Sequence, residues 1–372
     1  MEAVDVVIVG AGQSGLAAAW AAQRSGLRPV VLEAGPEPTG SWPRYYDSLT
    51  LFSPARYSSL PGRPMPGDPE RYPTRDEVAS YLRDYADWLD ADIRTGQRVE
   101  RISRLDDGFA VETEAGALLR TPYVIAATGA FDTPNRPQMP GAESYRGTIL
   151  HASEYRRPRA FAGRRVVVVG GGDSAVQIAD ELAVVARVTL ATRSALRWQA
   201  QRPLGRDIHW WMDRSGLDGA PLGRLWLRAG RTPVVDDGHY RAALAAGAYD
   251  HRPMFTRLNE DGVVWADGAR EPVDAVLLAT GYRPNLAYLA GTPALDPHGA
   301  PLHRAGSSTT VPGLAYVGLE YQRSFRSATV RGVGHDAQRV IQRLTTASHR
   351  ERRGRARSAW RSASRRRPGL AR

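Results

Sequence analysis

Val6-Val7-Ile8-Val9-Gly10-Ala11-Gly12-Gln13-Ser14-Gly15 stands near the start of the chain, and the chain repeats it. The second copy reads Val166-Val167-Val168-Val169-Gly170-Gly171-Gly172-Asp173-Ser174-Ala175. Each copy is an apolar β-branched run, then G-x-G-x-x-G/A, then an Ala-rich stretch with helical spacing. The first glycine (Gly10, Gly170) permits a tight strand-to-helix turn. The second (Gly12, Gly172) lets backbone approach a pyrophosphate, and the third position (Gly15, Ala175) lets helix pack on strand. The free N–H groups of the helix start, at Gln13 and Ser14 or at Asp173 and Ser174, then face the anion. The pair predicts an α/β chain with two Rossmann-like dinucleotide-binding domains.

The spacing that follows separates the two sites. Glu33 stands 23 positions after Gly10, ending Pro29-Val30-Val31-Leu32-Glu33. Arg193 stands 23 positions after Gly170, ending Val188-Thr189-Leu190-Ala191-Thr192-Arg193. A carboxylate at this strand end accepts hydrogen bonds from free ribose hydroxyls, whereas an arginine suits a 2′-phosphate. One site is therefore expected to take FAD or NAD and the other NADP. The alternative, two solvated strand ends, does not account for the identical spacing. Two dinucleotide sites in one chain imply electron transfer rather than simple dehydrogenation.

Composition bounds the rest. The 372 residues suit about two domains. No apolar run approaches the ~18 residues of a membrane span, and no basic leader precedes the first strand. These features predict a soluble, cytoplasmic protein. The chain has no cysteine, which excludes disulfides, thiolate metal sites and the dithiol chemistry of disulfide reductases. The histidines show no metal-ligand spacing, and no metal is expected. The net charge of +11 is concentrated at one end: residues 349–372 hold ten arginines and one glutamate, +9, leaving +2 for the remainder. That end reads as a disordered arm, with weak contact to an anionic surface as its alternative role. No specific nucleic-acid partner is expected.

Taken in order, a strand at 4–9, a helix at 13–25 and a strand at 29–33 lead into a Pro/Gly-rich passage from Gly35 to Pro73. A loop this long in a compact domain is usually functional. Thr74 and Glu77 form a capping box for a helix whose apolar stripe is Val78, Tyr81, Leu82 and Tyr85. Residues 98–104 and 109–113 alternate as an antiparallel hairpin. Tyr123-Val124-Ile125-Ala126-Ala127-Thr128-Gly129 and Asp274-Ala275-Val276-Leu277-Leu278-Ala279-Thr280-Gly281 are paired buried strands ending in Thr-Gly, where such sheets meet ligands.

This order of motifs resembles the flavin-containing monooxygenase superfamily over about residues 4–343. The resemblance rests on both glycine fingerprints, Glu33, Gly40-Ser41-Trp42, Arg193 and both Ala-Thr-Gly strands, the second followed by Tyr282. It rests also on Tyr145-x-Gly147-x-x-x-His151-x-x-x-Tyr155, which is similar to the family's F-x-G-x-x-x-H-x-x-x-F/Y. It implies FAD in the first site and NADPH in the second. Ser41 and Trp42 would lie near the isoalloxazine and Val99 near the adenine, with Thr128, Gly129, Thr280, Gly281 and Gly318 completing the contacts. The implied reaction is hydride transfer from NADPH to FAD, O2 addition at flavin C4a, and passage of one oxygen to a small substrate. His151, Tyr155 and Trp42 are its candidate active-centre residues; for His151 a structural hydrogen bond between domains is an equal alternative.

Two departures from the family pattern bear on function. The fingerprint ends in Tyr155 where Baeyer–Villiger enzymes carry Trp, which favours oxygenation at nitrogen or sulfur. An Asn found near the flavin in animal-type members has no counterpart around Leu51-Phe52-Ser53-Pro54. This leaves a second class open, an NADPH-dependent reductase or oxidase serving a quinone, a partner protein or O2. The segment 196–255, rich in Trp198, Trp210, Trp211 and Trp226, is expected to shape a substrate pocket, a homodimer contact or a plain cover. The expected domains are an FAD part at 1–157, an NADPH domain at 158–273, a second FAD part at 274–345 and a loose tail at 346–372.

Overall fold

The computed structural model describes residues 1–222, 225 and 233–346; Trp226 and all but the first residue of the tail lie outside them. Each fingerprint strand sits at the centre of its own sheet. In the first sheet Val6–Val9 lies between Pro29–Leu32 and Val124–Ala126, with Asp92–Arg94 and Leu314–Tyr316 extending it on either side, all parallel. Short antiparallel strands His303–Arg304 and Ser307–Ser308 close one edge. In the second sheet Arg165–Val169 lies between Arg187–Thr192 and Ala275–Leu278, with Asp250–Pro253 and Thr148–His151 outside them, again all parallel. The same local arrangement is thus built twice.

Alternation along the strands places the cores. Val6 and Ile8 face one apolar cluster with Leu16, Ala17 and Leu82, while Val7 and Val9 face another with Ile102, Phe109 and Tyr316. Val166 and Val168 likewise face away from Val167 and Val169. A strand buried on both faces needs the unbroken β-branched runs seen in the sequence. The helix Gln13–Arg24 follows the first run, and Asp173–Ala183 follows the second. The helix Arg75–Leu89 starts at Thr74, whose side chain accepts from the Glu77 N–H while the Glu77 carboxylate takes the Thr74 N–H. The hairpin Val99–Leu105 with Gly108–Thr113 is antiparallel.

The sheets correct the expected domain limits. Thr148–His151 and Ala275–Leu278 pair with each other and belong to the second sheet, although they fall outside the expected 158–273. The second domain therefore begins before the fingerprint histidine and ends at the second Ala-Thr-Gly. Two linkers cross between the domains, and they are paired with one another. The Asn135 N–H donates to the Gly281 carbonyl, the Arg283 N–H to Thr133, and the Asn285 N–H to Gly129. Pro134 and Tyr282 form an antiparallel bridge at the same place.

Candidate active site

The first fingerprint opens onto a cleft of ≈ 510 Å³ lined by Gly10, Gly12, Gln13, Ser14, Glu33, Ser41, Val99, Thr128, Gly129 and Gly318 among others. The glycines are fitted to it. Gly10 has φ +98, and a Cβ there would sit 2.9 Å from the Ala127 carbonyl oxygen. A Cβ on Gly15 would come within 1.8 Å of the Gly10 carbonyl oxygen, so the helix can touch the strand only with glycine. A Cβ on Gly12 meets only the Gly40 Cα, at 3.6 Å; its remaining surroundings are the open cleft. The helix start at Gly12 carries no side-chain cap, which leaves its N–H groups for an anion. Glu33 is 8% exposed and accepts from the Ala11 N–H at 2.6 Å and the Gly35 N–H at 2.7 Å. These residues fit the pyrophosphate and ribose of a dinucleotide.

Trp42 stands one layer behind the cleft rather than in its wall. Its indole Nε1–H donates to Gln13 Oε1 at 2.9 Å and so fixes a side chain that does line the cleft. From Trp42 a series of rings leads across the domain junction. Trp42 and Tyr45 are 5.7 Å apart, Tyr45 and Phe131 4.7 Å, Phe131 and Tyr282 5.4 Å, and Tyr282 and His151 5.0 Å. Tyr45, Phe131 and Tyr282 line the cleft. Burial holds the Tyr45 and Tyr282 phenols well above their ordinary range, so both stay protonated. Glu320 lines the cleft too, without hydrogen bond or ion pair among the described residues, and burial raises its carboxyl.

His151 is fully buried, and both its ring nitrogens are engaged. The Ser153 N–H donates to Nδ1 at 3.1 Å, so Nε2 carries the proton and donates it to the Gly281 carbonyl at 3.1 Å. Burial pushes this imidazole below its ordinary value, against the opposing pull of the Gly281 carbonyl. It ties a strand end of the second sheet to the paired linkers. Tyr155, expected at the active centre, lies instead in the second domain's core, 1% exposed between Tyr46 and Phe161. Its hydroxyl donates to Glu181 at 2.9 Å. A phenol with no route to the cleft is a packing residue.

The second fingerprint has Gly170 at φ +151 and an uncapped helix start at Gly172, whose added Cβ would meet nothing within 4 Å. Ala175 takes the third position, buried in the core. Asp173 is the first helical residue; it accepts from the Val235 N–H at 2.9 Å, and burial pushes its carboxyl up to about 6. Ser174 is exposed beside it. Arg193 is exposed at the strand end and makes no hydrogen bond or ion pair among the described residues. It is left available to a phosphate. Thr280 Oγ1 donates to the Asn135 carbonyl, and Gly281 has φ +80, so both serve the linker crossing rather than the cleft wall.

Several working residues escape motif reading. Tyr46 donates to Gln177 at 2.5 Å and Ser48 to Glu181 at 2.9 Å, so the Pro/Gly-rich passage clamps onto the second domain's helix. Phe131 and Tyr282 follow the two Thr-Gly ends, and their proximity is the one sequence signal that could have found them. The segment after Thr192 folds over the same passage. Gln201 donates to the Phe52 carbonyl, Tyr72 to Asp207, and His209 stacks on Phe52 at 5.8 Å. No helix among the described residues is long and apolar enough to cross a membrane.

Comparison with known proteins agrees with this geometry. A family model described as pyridine nucleotide-disulphide oxidoreductase matches residues 7–212. The solved structure of a flavin-containing monooxygenase from Stenotrophomonas maltophilia superposes with a TM-score of 0.83 at 33% identity, covering 94% of this chain and 100% of that one. An uncharacterized CzcO-like oxidoreductase from Geobacillus kaustophilus is 32% identical over 344 residues, 91% of this chain and 97% of that protein. Indole-3-pyruvate monooxygenase YUCCA1 from Oryza sativa is 31% identical over 313 residues, 75% of this chain and 77% of that protein.

Proposed function

The chain belongs to the pyridine nucleotide-disulphide oxidoreductase family, on its flavin monooxygenase side, and from that premise we propose that it consumes NADPH to place one oxygen atom of O2 on a nitrogen or sulfur of a small molecule. It is a flavin-dependent oxidoreductase, and its cofactors are FAD and NADPH. Bound FAD supplies the hydride acceptor and the O2 chemistry. The chain's own residues bind, orient and exclude water. In this reading Glu33 holds the FAD ribose, the backbone of Gly10 to Ser14 holds its pyrophosphate, and Gln13, fixed by Trp42, borders the ring end. Arg193 holds the 2′-phosphate of NADPH, which selects it over NADH.

One observation carries the reading: Tyr282, next after the second site's Thr280-Gly281, is a wall of the first site's cleft. The end of the NADPH sheet and the flavin cleft thereby meet at one surface, where the rings of Tyr45, Phe131 and Tyr282 line the wall. The chain has no cysteine, so no internal disulfide takes the electrons.

The test is turnover of a tertiary amine and a thioether with NADPH under isotope-labelled O2. Labelled N-oxide or sulfoxide, matched to NADPH consumed, is the expected result. NADPH consumption matched by peroxide, with no label in either substrate, would replace this reading by the reductase or oxidase.

A further inference from the structure

Beside the flavin cleft lies a cluster of charge that neither nucleotide site uses. It brings together the turn Asp218-Gly219, the loop from Arg323 to Arg331 and the ring of Tyr57. Arg323 is 10% exposed and pairs with Asp336 at 2.9 Å. Arg331 is 10% exposed, pairs with Asp218, and lies 5.3 Å over the Tyr57 ring. Arg326 packs against Gly219, where a Cβ would sit 2.9 Å from its Nη2, and among the described residues no carboxylate pairs with it. Among the described residues, three guanidinium groups therefore share two buried carboxylates, and the exposed Asp213 stands 3.9 Å from Arg331.

Hydrogen-bond accounting points the same way. Arg326 Nε and Arg331 Nη1 are buried donors without an acceptor, and Asp218 Oδ1 is a buried acceptor without a donor. Asp218 Oδ1 bonds neither of them, so both donors are left open. Buried groups of this kind are costly unless something completes them. Both open donors belong to guanidinium groups, which an anionic oxygen complements. Burial lowers the Arg326 pKa, with Arg331 and Arg323 adding to it against the pull of Asp218.

The location gives this cation a use. Ala328, two residues after Arg326, lines the flavin cleft, and its carbonyl is 3.5 Å from Gln13 Nε2. We propose that Arg326 and Arg331 form the anion-binding end of the substrate site, so that the oxygenated molecule carries a carboxylate or a similar oxyanion. This rests on reading the flavin cleft as the seat of oxygenation, and it narrows the substrate from any small amine or sulfide to an anionic one.

The test uses flavin-loaded, full-length enzyme and two probes, (methylthio)acetate and its neutral amide. Binding is read from the perturbed spectrum of the oxidised flavin without NADPH, so turnover is not needed. The variant is Arg326→Gln, chosen because its side chain holds no ion pair, with Arg326→Lys as the charge-keeping control. Flavin content and melting temperature are compared first. The carboxylate should bind more tightly than the amide to wild type and lose on the order of tenfold to hundredfold in Arg326→Gln. Lysine should restore part of that, the amide should be unmoved, and sulfate should compete with the carboxylate alone. Equal binding of both probes in all three proteins, or no saturable response to either, would overturn the proposal and leave the cluster a structural, water-filled one. So would sulfate binding that does not compete with the carboxylate. Tight, Arg326-dependent binding without labelled sulfoxide would sink the monooxygenase reading and keep the anion site.

Discussion

Asp173→Asn removes a carboxyl that the second fingerprint holds in an unfavourable place. Its ordinary value of 3.8 is pushed up to about 6 by burial, against the single Val235 N–H it accepts. The folded protein therefore holds this proton more tightly than the unfolded chain. Below 3.8 the carboxyl is neutral in both states and costs nothing. The cost grows as pH rises from there to about 6, and above that it is complete. A shift of about two units at ~1.4 kcal/mol each gives roughly 3 kcal/mol, which the carboxyl's partial access to water reduces to ~1–3 kcal/mol. Asparagine keeps an oxygen for Val235 and carries no charge. The variant should melt close to wild type at about pH 4 and a few degrees above it at about pH 8, at roughly 2–4 °C per kcal/mol. Thermal melts of flavin-loaded wild type and variant across that range are the assay. An offset that does not change with pH, or one that shrinks as pH rises, would refute the assignment of a burial-strained carboxyl at this helix start.

Arg193→Ala should raise KM for NADPH by about tenfold to hundredfold and leave that for NADH within about twofold; equal changes would remove the 2′-phosphate assignment. Tyr155→Phe, losing one hydroxyl on Glu181, should cost about 1 kcal/mol by denaturant melts while kcat stays unchanged; a large loss of kcat at normal flavin content would return this phenol to the active centre. Gly15→Ala should yield protein without flavin or no folded protein, since its Cβ would lie 1.8 Å from a carbonyl oxygen. Its counterpart Ala175→Gly should fold and cost only about 1 kcal/mol. Gly12→Val should fold yet purify without flavin, because its side chain fills the cleft; yellow protein would contradict that.

Both sheets were legible because their strands are buried on two faces, and unbroken β-branched runs have few other uses. The capping box at Thr74 and Glu77 was legible for a similar reason, being a local hydrogen-bond exchange. The domain limits were not. Thr148–His151 looks like any short edge strand, and only its pairing with Ala275–Leu278 assigns it to the second sheet. Within the site, glycines and strand-end charges announce themselves by spacing. Tyr155 had the right register and the wrong surroundings, since a motif position does not say which side of a helix closes over it. The Arg326 and Arg331 cluster joins residues about a hundred positions from Asp218, and no local pattern encodes that meeting.

The paired linkers constrain how the two halves can move. Two strips of backbone, at Gly129–Asn135 and Gly281–Asn285, are stitched by hydrogen bonds into one narrow ribbon. Such a ribbon flexes across its flat face, but shearing or twisting it means breaking its stitches. The nucleotide domains are thus joined by something close to a door hinge, with one easy axis and the others stiff. Tyr282 is part of that ribbon and also part of the flavin cleft. Any swing of the second domain therefore turns a wall of the first domain's cleft, and opening for one nucleotide is mechanically geared to the room around the other.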